Sequence, residues 1–486
     1  MLAQLQPDLV VDASGPFQAY GDEPYQLVKD CIAAGCNYID LADGADFVSG
    51  ISVLNDEATK VGCFVLSGMS SFPVLTAAVV RKLAVGLDSV EETTAGIAPS
   101  PFAGVGLNVI RAIASYSGKP VKLLRDGKLG TGTGFFDSRK MVVNVPGFIP
   151  LRPIRFALTD VPDLKILPTE WPALKTMWMG AGPTPAVLHR LLWLAAGLVK
   201  LRILPSLVPL APVMNWVINT VRWGEHRGGM IVEVKGRLAE EIRKVSWHLL
   251  AEGEGGPFIP SMAAEAIVRM CLNGTPPAAG ARSGHRDLEL EDYAPLLSAH
   301  GIQYGFREER PATIYEQALG PAFQKIAPPL QKFHRNTTAF SMRGKADVER
   351  ASSTLARIVS AFFGFPKAGK NIDLKVQIDF DGRHETWARV FAGKRFKSKQ
   401  SAGSGRYEGL IVESFGPFNF GMAVTEMNGR LGLILRDWDI LGLPMPRILL
   451  PSIAASEHGA DDRFNFDVEL KHPLLGLLVR YKGWLE

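Results

Sequence analysis

The stretch that decides the fold runs from Asp8 to Leu83. It opens PDLVVDASGPFQAYGDEP (residues 7–24), continues CIAAGCNYIDLADGADFV (31–48) and closes GCFVLSGMSSFPVLTAAVV (62–80). Three short apolar runs, Leu9–Val11, Tyr38–Leu41 and Phe64–Leu66, each end in a polar turn containing glycine. Segments with helical spacing, Tyr25–Ala34 and Val53–Val61, lie between them. Short buried-type strands alternating with helices predict parallel βαβ units. Ligands of open parallel sheets sit at the carboxyl ends of the strands. Any chemistry is therefore expected at the loops Ser14–Phe17, Asp40–Gly44 and Ser67–Ser71.

Length and composition bound the rest. A chain of 486 residues has room for two or three domains. With 47% hydrophobic and 21% charged residues it is globular rather than disordered. A net charge of +4, from 53 basic and 49 acidic residues, gives no electrostatic case for nucleic acid as a partner. Four cysteines (Cys31, Cys36, Cys63, Cys271) do not make a disulfide framework and are read as reduced, buried thiols. No h-region occupies Met1–Pro7, so the default compartment is the cytoplasm.

A complete dinucleotide fold opens with a strand, a Gly-rich turn and a helix that holds the pyrophosphate. No GxGxxG follows any predicted strand here. Gly130-Thr-Gly132-Thr-Gly134 and Gly253-Glu-Gly255-Gly256 have glycines but read as plain turns. The segments ASGPFQAYGDEPYQLVKDCIAAGCNYIDLADGADFV and LSGMSSFPVLTAAVV closely resemble the second half of the nucleotide-binding domain of saccharopine-dehydrogenase-like proteins. The resemblance is strong over residues 1–83. It extends more weakly to about residue 310, where WHLLAEGEGGPFIPSMAAEAIVRMCLNG looks like the segment returning to the first domain.

That resemblance implies an NAD(P)-dependent oxidoreductase. It implies cofactor contacts at Ser14, Gly15, Pro16 and Phe17 and at Ser67 and Gly68. Asp40 and Asp43 end the middle strand, where either orients a substrate or caps the next helix. Tyr20 reads as a solvent-facing tyrosine rather than a proton donor. No catalytic residue is assigned, and no metal site. By the same resemblance the first mononucleotide half is missing, so the expectation is a truncated start and a chain inactive as given. The strand at Leu9–Val11 then becomes a bare edge, and buried backbone groups left unpaired there would cost about 1–3 kcal/mol each. The ASGPF and YIDLADG segments also resemble trans-acting enoyl reductases on carrier-bound lipid intermediates, which makes that enzyme one alternative.

The expected fold class is α/β: a partial doubly wound, Rossmann-like parallel sheet, an α+β second domain, and a C-terminal antiparallel β-rich, barrel-like domain. The expected boundaries are 1–92, 93–320 and 321–486, with helix 261–272 packing back on the first domain. The middle domain reads as a substrate or dimerisation domain, which implies a homodimer. Within it, residues 185–223 are the most apolar of the chain. Their uncharged run Ile203–Val221, 19 residues, reaches the length of a membrane span. Pro205, Pro209 and Pro212 interrupt it, and Arg190, Lys200, Arg202 and Arg222 flank its pieces as in interfacial segments. Peripheral membrane contact, a buried hairpin and a true span all remain open.

Pro321, Pro328 and Pro329 suggest a linker into the last domain. There Val348, Ala351, Leu355, Ile358, Val359 and Phe362 form a helical stripe. Ile372 to Phe380 and Phe464 to Leu470 alternate with period 2, and Asp381-Gly382 and Asn428-Gly429 mark hairpin turns. RDWDILGLPMPRILLP and HPLLGLLVRYKGWL resemble an uncharacterised domain that recurs behind saccharopine-dehydrogenase-like modules. Lys394, Arg395, Lys397, Lys399 and Arg406 read as an edge strand protected by lysines, or as a surface for anionic lipid or nucleic acid. Gly364–Asn371 mimics a P-loop but lacks its hydroxyl and its strand-then-helix order. The non-catalytic alternative is a lipid- or membrane-associated binding protein with a lipid-like small molecule as partner.

Overall fold

The computed structural model describes Leu2–Glu486 apart from Glu254 and Ser352. Met1 and the Glu254 position of the Gly253–Gly256 turn lie outside the described residues. The chain forms two compact units: residues 1–143 with 154–309, and residues 144–153 with 310–486.

The first unit holds a four-stranded parallel sheet in the order Leu9–Asp12, Asn37–Asp40, Phe64–Ser67, Gly280–Ser283. Helices Gln26–Ala33 and Asn55–Val61 link the first three strands. They and the Ile51–Leu54 turn bury Val28, Cys31, Ile32, Leu54 and Ala58 against Tyr38, Val65 and Ala281. The Leu9–Asp12 strand is the edge, with Val11 47% exposed. The fourth strand, GARS, has no apolar run to announce it. It enters after helix Met262–Leu272, whose Met262, Ala263, Ala266 and Ile267 are buried.

A seven-stranded mixed sheet completes this unit, built around Ser89–Ala98, Gly228–Leu238 and Glu241–Ala251. Residues 185–223 form helices Ala186–Lys200 and Ala211–Thr220 joined through a Val208–Leu210 turn. The 19-residue uncharged run therefore holds a helix of only ten residues. No helix among the described residues is long and apolar enough to cross a membrane, which overturns the spanning reading. Proline placement is the reason, because Pro205, Pro209 and Pro212 fall in the linker and the first helical turn.

The second unit is a closed antiparallel barrel. Ten strands run Phe340–Arg350, Gly369–Phe380, His384–Phe391, Lys394–Ala402, Ile411–Phe415, Phe418–Met427, Arg430–Ile440, Ser452–Ala460, Arg463–His472 and Gly476–Leu485. Each pairs with its neighbour, and the last returns to the first. Closure brings two glycines to the seam. A Cβ on Gly344 would lie 1.8 Å from the Trp484 carbonyl oxygen, and one on Gly483 would lie 2.1 Å from that of Lys345.

The alternating residues Leu374, Val376 and Ile378 and Phe464 and Phe466 all join the barrel core. Lys394–Ala402 is paired on both sides, so it is not an edge strand. Residues 321–334, expected as linker, instead fold into a turn (Gly320–Lys325) and a helix (Pro328–His334) that begin at their prolines. With helix Ile314–Leu319 they send Tyr315, Phe323, Leu330 and Phe333 into the barrel core.

The predicted stripe from Val348 to Phe362 divides. Val348 is a core residue of the first strand, and the helix spans Thr354–Phe362. That helix buries its small residues Ala356 and Ser360, the latter donating to the Leu478 carbonyl at 2.9 Å. Leu355, Ile358 and Phe362 are left exposed.

Candidate functional site

At the strand ends of the parallel sheet, Asp12 accepts four hydrogen bonds. Its Oδ1 takes the Ser14 N–H at 2.9 Å and the Ser14 hydroxyl at 2.6 Å. Its Oδ2 takes the Tyr20 hydroxyl at 2.8 Å and the Tyr38 hydroxyl at 3.2 Å. Burial alone would raise the Asp12 pKa, but these bonds outweigh it and hold the carboxyl below its ordinary value. Burial and the hydrogen bond to Asp12 leave Tyr20 with its pKa pushed up to about 12. Its ring stacks on Phe17 at 4.9 Å, so it is built into the loop rather than turned to solvent. Asn108 Nδ2, unmarked by any sequence signal, donates to the Ser14 and Gly15 carbonyls, both at 3.1 Å.

Asp40 is fully buried. Its Oδ1 accepts the Gly68 N–H at 2.7 Å, the Ala42 N–H at 3.0 Å and the Ser67 hydroxyl at 3.0 Å. No hydrogen bond reaches Oδ2. Burial pushes the carboxyl up to about 7 against those three donors. Asp43 is half-buried, accepts the Gln18 amide at 3.1 Å and is also raised by burial. Neither caps the next helix, Ala45–Gly50, whose N-cap is Gly44 with no side-chain bond.

Ser14 is exposed, Gly15 and Pro16 are half-buried, and Phe17, Ser67 and Gly68 are buried. A side chain on Gly68 would meet Val48 and Pro73 at 3.0 Å, and its φ is +78°. Of the six expected cofactor contacts, Ser14, Gly15 and Pro16 keep accessible surface, whereas Phe17, Ser67 and Gly68 keep little. A further carboxylate, Asp163, went unnoticed in the sequence. It is fully buried, and burial pushes it up to about 8 against the opposing pull of its own backbone N–H and the Thr76 hydroxyl. Its short helix packs Ile166 against Phe17, Ala42, Phe47 and Val48.

The helices of residues 185–223 each have two faces. Leu188, Leu192, Ala196, Val199 and Ala211 are buried, whereas Leu191, Leu194, Leu198, Leu201, Ile203, Val213, Trp216 and Trp223 are exposed. The buried-hairpin reading holds for one face only. No Asp or Glu occurs from 171 to 224, while Lys175, Arg190, Lys200, Arg202 and Arg222 do.

Inside the barrel lies a cavity of about 130 Å³. Phe363, Phe365, Phe391, Phe415, Phe420, Leu433, Leu435, Phe466 and Tyr481 are among its walls. Polar groups interrupt the apolar surface: Arg389, Gln400, Glu413, Glu457 and Tyr315. The basic cluster expected around Phe396 splits accordingly, with Phe396 buried inward and Lys397 and Lys399 exposed outside. Arg406 is tied to Asp437 at 2.7 Å and Tyr407 is buried.

Because successive strands reverse direction, loops 351–368, 441–451 and 473–475 share one end of the barrel, opposite helices 314–334. The cavity reaches Phe363, Phe365 and Pro451 of that end. Leu355, Ile358, Phe362, Leu441, Leu443, Ile448 and Leu474 are exposed around it. These loops carry Arg357, Lys367 and Arg447 and no acidic residue. The sequence signal for the polar interior was available in HETWARVF. Its period-2 frame puts Glu385 and Arg389 on the face of Trp387 and Phe391.

Residues 326–485 match a domain of unknown function, DUF4166. No curated protein matches the chain. Among solved structures, apo lipid binding protein 8 (LBP-8) of Caenorhabditis elegans is similar at 12% identity, over 29% of this chain and 91% of that one, with a TM-score of 0.19. A dehydrogenase (MviM) from Clostridium difficile is similar at 9% identity, over 56% and 72%, with a TM-score of 0.23.

Proposed function

We propose that this protein binds a lipid-like small molecule inside its C-terminal barrel. The cavity carries the reading. An apolar occupant of its 130 Å³ would take phenylalanine and leucine side chains out of water at about 25 cal/mol per Å² of apolar surface buried. Apolar walls with a few convergent polar groups are the usual build of a small-molecule site. The test is titration of the purified full chain with Nile red, an uncharged polarity-sensitive dye. Saturable one-to-one binding is expected, and Leu433→Trp, which fills the cavity, should weaken it by about tenfold or more. No binding, or binding indifferent to Leu433→Trp, sinks the reading.

The partner surface that goes with it is an anionic membrane. The exposed apolar face of residues 185–223, with its cations and no carboxylate, has the composition of an interfacial segment. The barrel end with exposed Leu355, Ile358 and Phe362 repeats that chemistry at the cavity mouth.

A second reading is an NAD(P)-dependent oxidoreductase of saccharopine-dehydrogenase-like type, or an enoyl reductase-like enzyme on lipid intermediates. It rests on the resemblance of residues 1–83 and on the partly exposed Ser14–Pro16 loop at a strand end. These residues would meet the nicotinamide ribose, and the bound cofactor would supply the hydride chemistry. Ser67 and Gly68, expected to share that contact, are buried and donate to Asp40.

A further inference from the structure

If the barrel holds an apolar ligand, its interior polar groups decide which end group that ligand carries. Arg389 is the one guanidinium among the described cavity-lining residues. It lies over the rings of Trp387 at 4.8 Å and Phe396 at 5.4 Å. Its Nη1 donates to Ser398 Oγ at 2.8 Å and its Nη2 to Glu413 Oε1 at 3.2 Å. The Ser398 hydroxyl in turn donates to that same oxygen at 2.5 Å. The one cation is already neutralised and held in a closed triangle.

The remaining groups are mostly acceptors. Glu385, Gln400 and Glu413 stand side by side on three adjacent strands, because Glu385 pairs with Gln400 and Gln400 with Glu413. The Trp387 indole N–H donates to Glu385 at 3.0 Å, and burial raises the Glu385 pKa above its ordinary value. Gln400 Oε1 accepts the Tyr315 hydroxyl at 3.0 Å. From the Ser452–Ala460 strand, Glu457 meets His334 Nε2 at 2.6 Å. Two carboxyls and an amide thus line the cavity beside one guanidinium, with Glu385 and His334 buried outside its lining.

A ligand carboxylate entering here would have to pull Arg389 from Glu413, or lie beside glutamates in a low-dielectric space where like charges repel strongly. A hydroxyl or ammonium would instead donate to oxygens already present. We propose that the barrel selects an apolar ligand whose polar end is an alcohol or an amine, and discriminates against long-chain carboxylates.

The experiment displaces Nile red from the full chain with 1-dodecanol, dodecylamine and dodecanoate, each kept below its micelle-forming concentration. Dodecanol or dodecylamine should displace the dye at about tenfold lower concentration than dodecanoate. Dodecanoate acting equally well or better would overturn the inference while leaving the apolar-ligand reading intact. Dye that binds but yields to none of the three would also overturn it. Failure of the dye to bind at all would overturn the underlying reading, and the inference with it. Glu413→Gln should free Arg389 and bring dodecanoate at least level with dodecanol, with an unchanged circular dichroism spectrum as evidence of an intact barrel. If that variant does not fold, the three-ligand comparison in the unsubstituted protein still decides.

Discussion

Replacing Asp40 by Asn tests whether the carboxylate at the centre of the strand-end loops is a folding element or a burden on folding. Asp40 has no exposed surface, takes three donors on Oδ1 and has no partner on Oδ2. Its pKa rises from the ordinary 3.8 to about 7 because burial disfavours the charge. The folded state therefore holds a proton that the unfolded chain releases, so stability falls as pH rises between those values. At about 1.36 kcal/mol per pH unit the full loss is about 4 kcal/mol. The contribution is intact below about pH 4 and gone above about pH 7. Asn keeps the Oδ1 acceptor and cannot ionise, but its amide N–H then occupies the unpartnered side at a cost of about 1–3 kcal/mol.

The absolute effect of Asp40→Asn is thus small, and its pH dependence is the informative quantity. Urea unfolding followed by hydrogen exchange of peptides covering 37–41 and 64–68 reports on this sheet alone. Between pH 5 and pH 8 the variant should gain about 3 kcal/mol relative to the parent. A difference between the two proteins that stays constant across that range would refute the argument, because it would mean that Asp40 titrates alike in both states.

Two other outcomes follow from the same structure. The full chain should float with vesicles containing anionic lipid. The double variant Leu194→Glu/Trp216→Glu, at two exposed positions, should stay in the soluble fraction and show an unchanged circular dichroism spectrum; flotation by both proteins, or by neither, counts against the interfacial face. NADH should bind no tighter than about 1 mM, because no GxGxxG turn follows a strand of this sequence to hold its pyrophosphate. Absence of both a saturable fluorescence change and exchange protection over residues 12–20 would remove the oxidoreductase reading.

The sequence made the local pattern of the fold legible and left its long-range closure hidden. Leu374, Val376 and Ile378 alternate plainly enough to assign a strand face. Nothing near Gly344 says that its neighbour is Leu485, 141 positions away, which is what turns a curled sheet into a barrel. The three loops of the parallel sheet were placed from turn chemistry, yet Asn108 reaches Ser14 from 94 residues downstream. Asp163 also lies in a helical turn of four residues with no periodicity to mark it. The helical stripe at Leu355, Ile358 and Phe362 was visible as apolar spacing, but spacing does not say whether a face is buried or exposed.

The two candidate sites share one property that folding does not explain. A buried ion pair is often replaced by apolar residues with no loss, or with a gain of about 1–4 kcal/mol. Arg389 with Glu413, His334 with Glu457, and Glu385 all stand where leucines and phenylalanines surround them. Asp40 likewise carries a charge that its surroundings disfavour. In the barrel Arg389, Glu413 and Glu457 line the cavity, so a ligand there can reach them and repay their cost by accepting or donating hydrogen bonds. Asp40 is sealed from solvent, so only its neighbours Ala42, Ser67 and Gly68 can use it, and its effect on any bound molecule has to pass through the shape of those loops. The same cost therefore supports direct recognition in one place and only positioning in the other, and this asymmetry makes the barrel the stronger functional site.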